Sequence, residues 1–223
     1  MGPTATATRS ERTSWDGFTS VQGADSRSMS FENFDRQLLG VLPWLELDGL
    51  DVGTDGRHLA SGMHAEACSL PEDMRAEIVR GLHVPPERAL EDLAAFNAWI
   101  ELAEQQVTNP VVVRARVITE LYASLLWHRD GLLDLVARRL DAGTTSRVID
   151  FMRSGQRRRL RNGFAHGNWS YLEDFSGLEF WARPDPGQPN QRYEIRNEIY
   201  GAYQVLGRAT TTVLLLALVD RKP

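Results

Sequence analysis

Apolar residues recur at helical spacing along most of this chain and switch to strict alternation over one short stretch. That switch limits the possible folds more than any other feature. Phe31, Phe34, Leu38, Leu39 and Leu42 follow the helical period until Pro43 interrupts it. Leu90, Leu93, Phe96, Trp99, Ile100 and Val107 follow it again after Pro85-Pro86. The pattern then becomes short, aromatic-rich and alternating in Asn168–Leu172, Leu178–Arg183 and Gln191–Ile195. Turn residues separate these pieces, at Asp174 to Gly177 and at Pro184-Asp185-Pro186-Gly187. A last amphipathic segment from Asn197 to Leu218 places Ile199, Tyr203, Leu206, Val213 and Ala217 on one face. The expected fold is mostly α, a helical bundle with a small β-hairpin or three-stranded meander inserted before the last helix.

Boundaries follow from turn and cap residues. Residues 1–27 are rich in Thr, Ser, Gly and charge without apolar periodicity and read as a disordered arm. Residues 28–82 form an N-terminal helical segment, either a subdomain or a lid, and residues 83–220 the bundle, with its β insertion at 168–195. Ser69-Leu70-Pro71-Glu72 has the form of a capping box for a short helix closed by Gly81. Asn109-Pro110 opens a long central helix reaching toward Leu140, with a kink expected near Gly131. Thr145 or Ser146 caps the next helix, which runs to His166 and stops at Gly167.

A net charge of −5 excludes a generally basic nucleic-acid coat protein. The positive charge is nevertheless concentrated, with Arg153, Arg157, Arg158, Arg159 and Arg161 inside nine residues. A single cysteine, Cys68, rules out an intrachain disulfide and suits a reducing compartment. The longest apolar run, Val213 to Val219, is too short to span a bilayer, and no secretory signal pattern opens the chain. A cytoplasmic protein with no membrane partner is the expectation.

The stretch Arg161-Asn162-Gly163-Phe164-Ala165-His166-Gly167 carries the clearest chemistry. It brings a cation, an amide and an acid/base group to the end of a basic helix. On an ideal helix Ile149, Met152, Leu160 and Phe164 form the buried stripe, and Arg158, Asn162 and His166 project from roughly the opposite face. Arg161 lies about 140° around from His166 on that geometry. Either its side chain wraps around, the helix unwinds near Gly163, or the Arg and His of two protomers complement each other.

This Arg-Asn-x3-His string resembles the motif of the HEPN family, helical-bundle domains common in bacterial toxin–antitoxin and phage-defence systems. The family motif is Arg, usually a polar residue next, then His after four to six intervening residues in all. The resemblance covers roughly residues 85–220 and is strongest before the hairpin. It implies a metal-independent endoribonuclease that needs no cofactor and works as a homodimer, with two motifs meeting in an interfacial cleft. It also implies an antitoxin or sensor protein as a further partner. Arg161, Asn162 and His166 would then be catalytic. His166 would serve as base or acid, Arg161 would stabilise the phosphorane-like transition state, and Asn162 would orient either. Arg157, Arg158 and Arg159 would hold flanking RNA phosphates. The alternative is a non-catalytic HEPN-like interaction or nucleic-acid-binding module, in which His166 and Gly167 simply end a helix.

Other groups carry weaker signals. His58, His64, Glu66 and Cys68 cluster in sequence and would suit a metal hydrolase, but their spacing matches no zinc signature. Glu120, in an apolar neighbourhood, is a candidate partner for Arg161. Trp169, Tyr171, Phe180 and Trp181 can stack on bases, although hairpin aromatics more often pack on a core.

Overall fold

A computed structural model describes residues 31–53, 56–82, 84–105, 132–140, 142–174 and 176–220. The first helices are α1 (Phe31–Leu47), α2 (Leu59–Cys68), α3 (Glu72–Gly81) and α4 (Pro86–Gln105), with a 3₁₀ turn at Gly56–His58 leading into α2. Then come α5 (Leu132–Ala137), α6 (Thr144–Arg153) and α7 (Gly155–Ala165). Strands β1 (Trp169–Tyr171), β2 (Gly177–Ala182) and β3 (Gln191–Arg196) precede the last helix, α8 (Asn197–Val219). The mostly helical class and the antiparallel meander before the last helix are as expected from the periodicity. The expected arm at 1–27, Asn109-Pro110, Glu120 and the expected kink at Gly131 lie outside the described residues.

α8 organises the fold. Its residues from Thr210 to Leu215 are all buried, so the helix is enclosed on every side. By length and composition it is apolar enough to cross a membrane, and 67% of that apolar window is buried inside the protein. It packs against α1, α2 and α4. Leu38 and Leu45 of α1, Leu59 and Met63 of α2, and Tyr203, Leu206 and Leu214 of α8 belong to one continuous core. Thr212 is fully buried within it, and its hydroxyl has no hydrogen-bond partner among the described residues. A buried hydroxyl without a partner carries its full desolvation cost. Thr212→Val, which keeps the shape, should therefore raise unfolding free energy by about 1 kcal/mol in urea titration. An unchanged or lower midpoint would contradict this.

Three local expectations are corrected. Pro43 does not interrupt α1, which continues to Leu47. Pro43 faces solvent while Leu42 and Leu45 on either side are buried, so packing outweighs one lost backbone hydrogen bond. The capping box at Ser69 does not form; Pro71 is the N-cap of α3, and the Ser69 hydroxyl donates to the Glu66 carbonyl at 2.6 Å. Neither Thr145 nor Ser146 caps α6. The Glu66 carboxylate accepts from the Thr144 and Thr145 amides at 2.9 and 2.8 Å, a cap supplied from α2. The buried Asp35 of α1 does the same for α2, accepting from the Ala60 amide at 2.6 Å.

The meander has strand order β1-β2-β3, with Trp169 opposite Phe180 and Phe180 opposite Tyr193. Alternation sends Leu178, Phe180 and Ala182 into the core. Glu179 takes the other face, where it accepts from Ser170 at 2.7 Å and pairs with Arg192 at 2.7 Å. α7 lies on β2 at Gly163, where an added Cβ would sit 3.2 Å from the Phe180 Cβ and 3.3 Å from the Asn168 carbonyl oxygen. The small residue at Gly163 thus admits the sheet.

Candidate nucleic-acid interface

The segment read as one helix from residue 145 to 166 is two. Ser154 is extended and Gly155 has φ +55°, so α6 ends at Arg153 and α7 starts afresh. The basic cluster is therefore split between two helix axes, and its members have different surroundings. Arg153 pairs with Asp134 at 2.7 Å.

Arg157, expected to hold a flanking RNA phosphate, is buried and engaged within the fold. Its side chain is 10% exposed and pairs with Asp48, just past the end of α1. Its Nε donates to the Phe151 carbonyl at 2.8 Å, and its guanidinium carbon lies 3.7 Å from the Phe151 ring centroid. Tyr203 of α8 donates its hydroxyl to the same Asp48 carboxylate at 2.5 Å. Three helices are thus joined by one cation, one carboxylate and one phenol.

Burial, and then the hydrogen bond to Asp48 and its charge, hold the Tyr203 phenol well above its ordinary value of 10.0, with Arg157 opposing. A pKa raised in the folded state contributes stability that is complete below the unfolded value and is lost as pH rises beyond it. Unfolding free energy should therefore fall above pH ~10. Tyr203→Phe should make that decline shallower, by at most about 1.4 kcal/mol per pH unit, in denaturant titrations over the alkaline range. Equal slopes for both proteins would show that Tyr203 does not titrate with folding.

Arg158, Arg159 and Asn162 remain on the open side of α7. They line a groove of about 300 Å³ closed on its far side by Arg183 and Asp185 of the turn after β2. Arg158, Arg159 and Arg183 make no ion pair among the described residues. Arg159 lies over the Tyr193 ring, 5.2 Å from its centroid, and Tyr193 in turn stacks on the buried Phe180 at 5.3 Å. Arg183 is a groove residue that the sequence does not single out. The turn beside it is legible there, but only the placement of the meander on α7 brings Arg183 next to Arg158.

The motif itself ends α7. The Gly167 amide donates to the Phe164 carbonyl at 3.0 Å and the Asn168 amide to the Gly163 carbonyl at 2.8 Å, with Gly167 at φ +67°. This pair of bonds is a Schellman motif. His166 is its C-cap residue and is exposed; Asn162 and Arg161 are half-buried. The Asn168 carbonyl accepts from the Trp181 amide at 2.9 Å, which ties the helix end to β2. Asn162 reaches the groove one turn before His166, and His166 is not among the groove's lining residues.

The remaining candidates fall elsewhere. His64 bonds Asp220 at 3.1 Å and packs on Phe31, with the Cys68 sulfur 3.6 Å from Nε2 and 3.8 Å from Nδ1. Glu66 caps α6, and His58 is exposed. No group of three or more potential metal ligands occurs among the described residues. Phe180 is core, and Trp169 and Tyr171 pack against it; Trp169 also meets the Phe164 ring at 4.8 Å. No protein-family model matches this chain, and no curated protein and no solved structure match it significantly.

Proposed function

We propose that the domain is a metal-independent endoribonuclease of HEPN type, acting as a homodimer on RNA, in a toxin or phage-defence setting restrained by a protein partner. One observation carries this reading: an exposed His166 stands one turn beyond Asn162, on a helix whose open side presents Arg158 and Arg159 without acidic partners among the described residues. In the proposed reaction the RNA 2′-oxygen attacks the adjacent phosphorus and the bond to the 5′-oxygen breaks. A base takes the 2′-hydroxyl proton, and an acid gives one to the departing 5′-oxygen. The products are a 2′,3′-cyclic phosphate and a 5′-hydroxyl. His166 serves as one of these two groups and the partner protomer's motif supplies the other. Arg161 stabilises the charge on the phosphoryl oxygens, and Asn162 orients the phosphate or the imidazole.

A second reading has its own support. The Schellman bonds account for Gly167 and for the end of α7 without any catalysis. On that reading the domain binds nucleic acid or protein and cuts nothing. The deciding experiment is cleavage of mixed cellular RNA in EDTA by the purified full chain. Cleavage leaving 2′,3′-cyclic phosphate ends supports the enzyme. Intact RNA after prolonged incubation with well-folded dimer favours the binding module.

A further inference from the structure

We propose that the groove between α7 and the turn after β2 is a phosphate-binding site for a single RNA strand, with Arg183 as a binding residue alongside Arg158 and Arg159. The choice of RNA rests on the proposed function; the anion site does not depend on His166. The charge of the lining comes first. Three guanidinium groups, on Arg158, Arg159 and Arg183, face one carboxylate, on Asp185, and Asn162 adds an amide that can donate. Guanidinium forks match phosphate oxygens in a bidentate way, and no acid among the described residues pairs with these three.

The local backbone adds to this. α7 begins at Gly155, which also lines the groove, and its N-cap Ser154 makes no side-chain cap. The Ser154 hydroxyl instead donates backward to the Phe151 carbonyl at 3.3 Å. Gly155 and the positive end of the α7 dipole therefore border the same space as the arginines. Arg159 is braced by the Tyr193–Phe180 stack, so less side-chain entropy is lost when it meets a ligand.

Size limits the ligand. About 300 Å³ is at the small end of ligand pockets, enough for about one nucleotide unit of a strand. Pro184 and Pro186, which complete the lining, fix the turn and offer little for a base to recognise. The site should therefore read charge rather than sequence.

Asp185 makes the proposal specific. Among the described residues it is the one group lining the groove that repels a phosphate, so removing its charge should strengthen binding, an effect that loss of structure would not produce.

The test is fluorescence anisotropy with a labelled 2′-O-methyl oligoribonucleotide, which has no free 2′-hydroxyl and cannot be cut. It reads the groove whether or not the domain is a ribonuclease. Wild type should bind at about 50 mM salt and weaken steeply as salt rises. Arg183→Glu and Arg158→Glu, both on exposed positions, should each lower affinity about tenfold or more. Each should also flatten the log–log salt slope by about 0.7 for every phosphate the protein no longer neutralises. Asp185→Asn should tighten binding about two- to threefold. Absence of wild-type binding, or wild-type affinity in both charge reversals, would overturn the proposal. So would equal competition by polyglutamate, which would point to an acidic protein partner.

Discussion

His166→Ala should lower RNA cleavage by about two to four orders of magnitude while leaving the fold intact. The range is what a positioned general acid or base contributes, and His166 supplies the imidazole of the motif. The fold should survive because every bond that His166 and its neighbours contribute to the helix end is a main-chain bond. The His166, Gly167 and Asn168 amides donate to the Asn162, Phe164 and Gly163 carbonyls, and alanine keeps all three. An exposed substitution of this kind changes stability by no more than about 0.5 kcal/mol. Arg161→Ala should lower cleavage comparably if it neutralises the transition state, and being half-buried it needs a matched thermal midpoint before its rate is read. Cleavage by His166→Ala within a few fold of wild type would reduce His166 to a helix terminator.

The residues around this motif show what a sequence does and does not disclose. Period alone identifies α1, the meander, α8 and the helical character of the α6–α7 stretch, because each carries a complete apolar face or a complete alternation. Ile149, Met152, Leu160 and Phe164 are all buried, as a single helix would require, although the chain breaks at Ser154 between them. The stripe survives because both halves pack on the same core, and the break is a matter of one glycine at positive φ. Caps are less legible. Sequence rules look for a capping side chain within a few residues, whereas Asp35 caps α2 and Glu66 caps α6 from other helices. Partners of charges are not legible at all. Asp48 follows α1 directly and reads as part of a Gly- and Asp-rich loop; nothing in its neighbourhood marks it as the partner of Arg157. Arg157 and Arg158 are adjacent, and only the direction each takes from α7 separates a structural cation from an open one.

That separation leads to the second large effect. Arg157→Ala should cost about 3–5 kcal/mol of unfolding free energy, whereas Arg158→Ala should cost less than about 0.5 kcal/mol. The pair of Arg157 and Asp48 is 10% and 16% exposed, so solvent screens it weakly. Removing the guanidinium strands the Asp48 carboxylate with Tyr203 as its remaining hydroxyl donor and empties the space over the Phe151 ring. The Phe151 carbonyl also loses its bond to Nε. Most of the cost is the unpaired charge, not the net worth of the pair, and this has a measurable consequence. Asp48→Asn should restore part of the stability in the Arg157→Ala background, because it removes the charge that has lost its partner while keeping a group that can accept from Tyr203. The coupling energy from the four proteins should be large and of the sign that makes the double variant less damaging than the sum of the single ones. Denaturant titration of wild type, Arg157→Ala, Asp48→Asn and the double variant measures it directly. A loss below about 1 kcal/mol for Arg157→Ala would place the pair among ordinary surface ion pairs. It would also return Arg157 to the set of cations available to RNA, since a guanidinium that contributes so little to the fold is free to leave Asp48 for a phosphate.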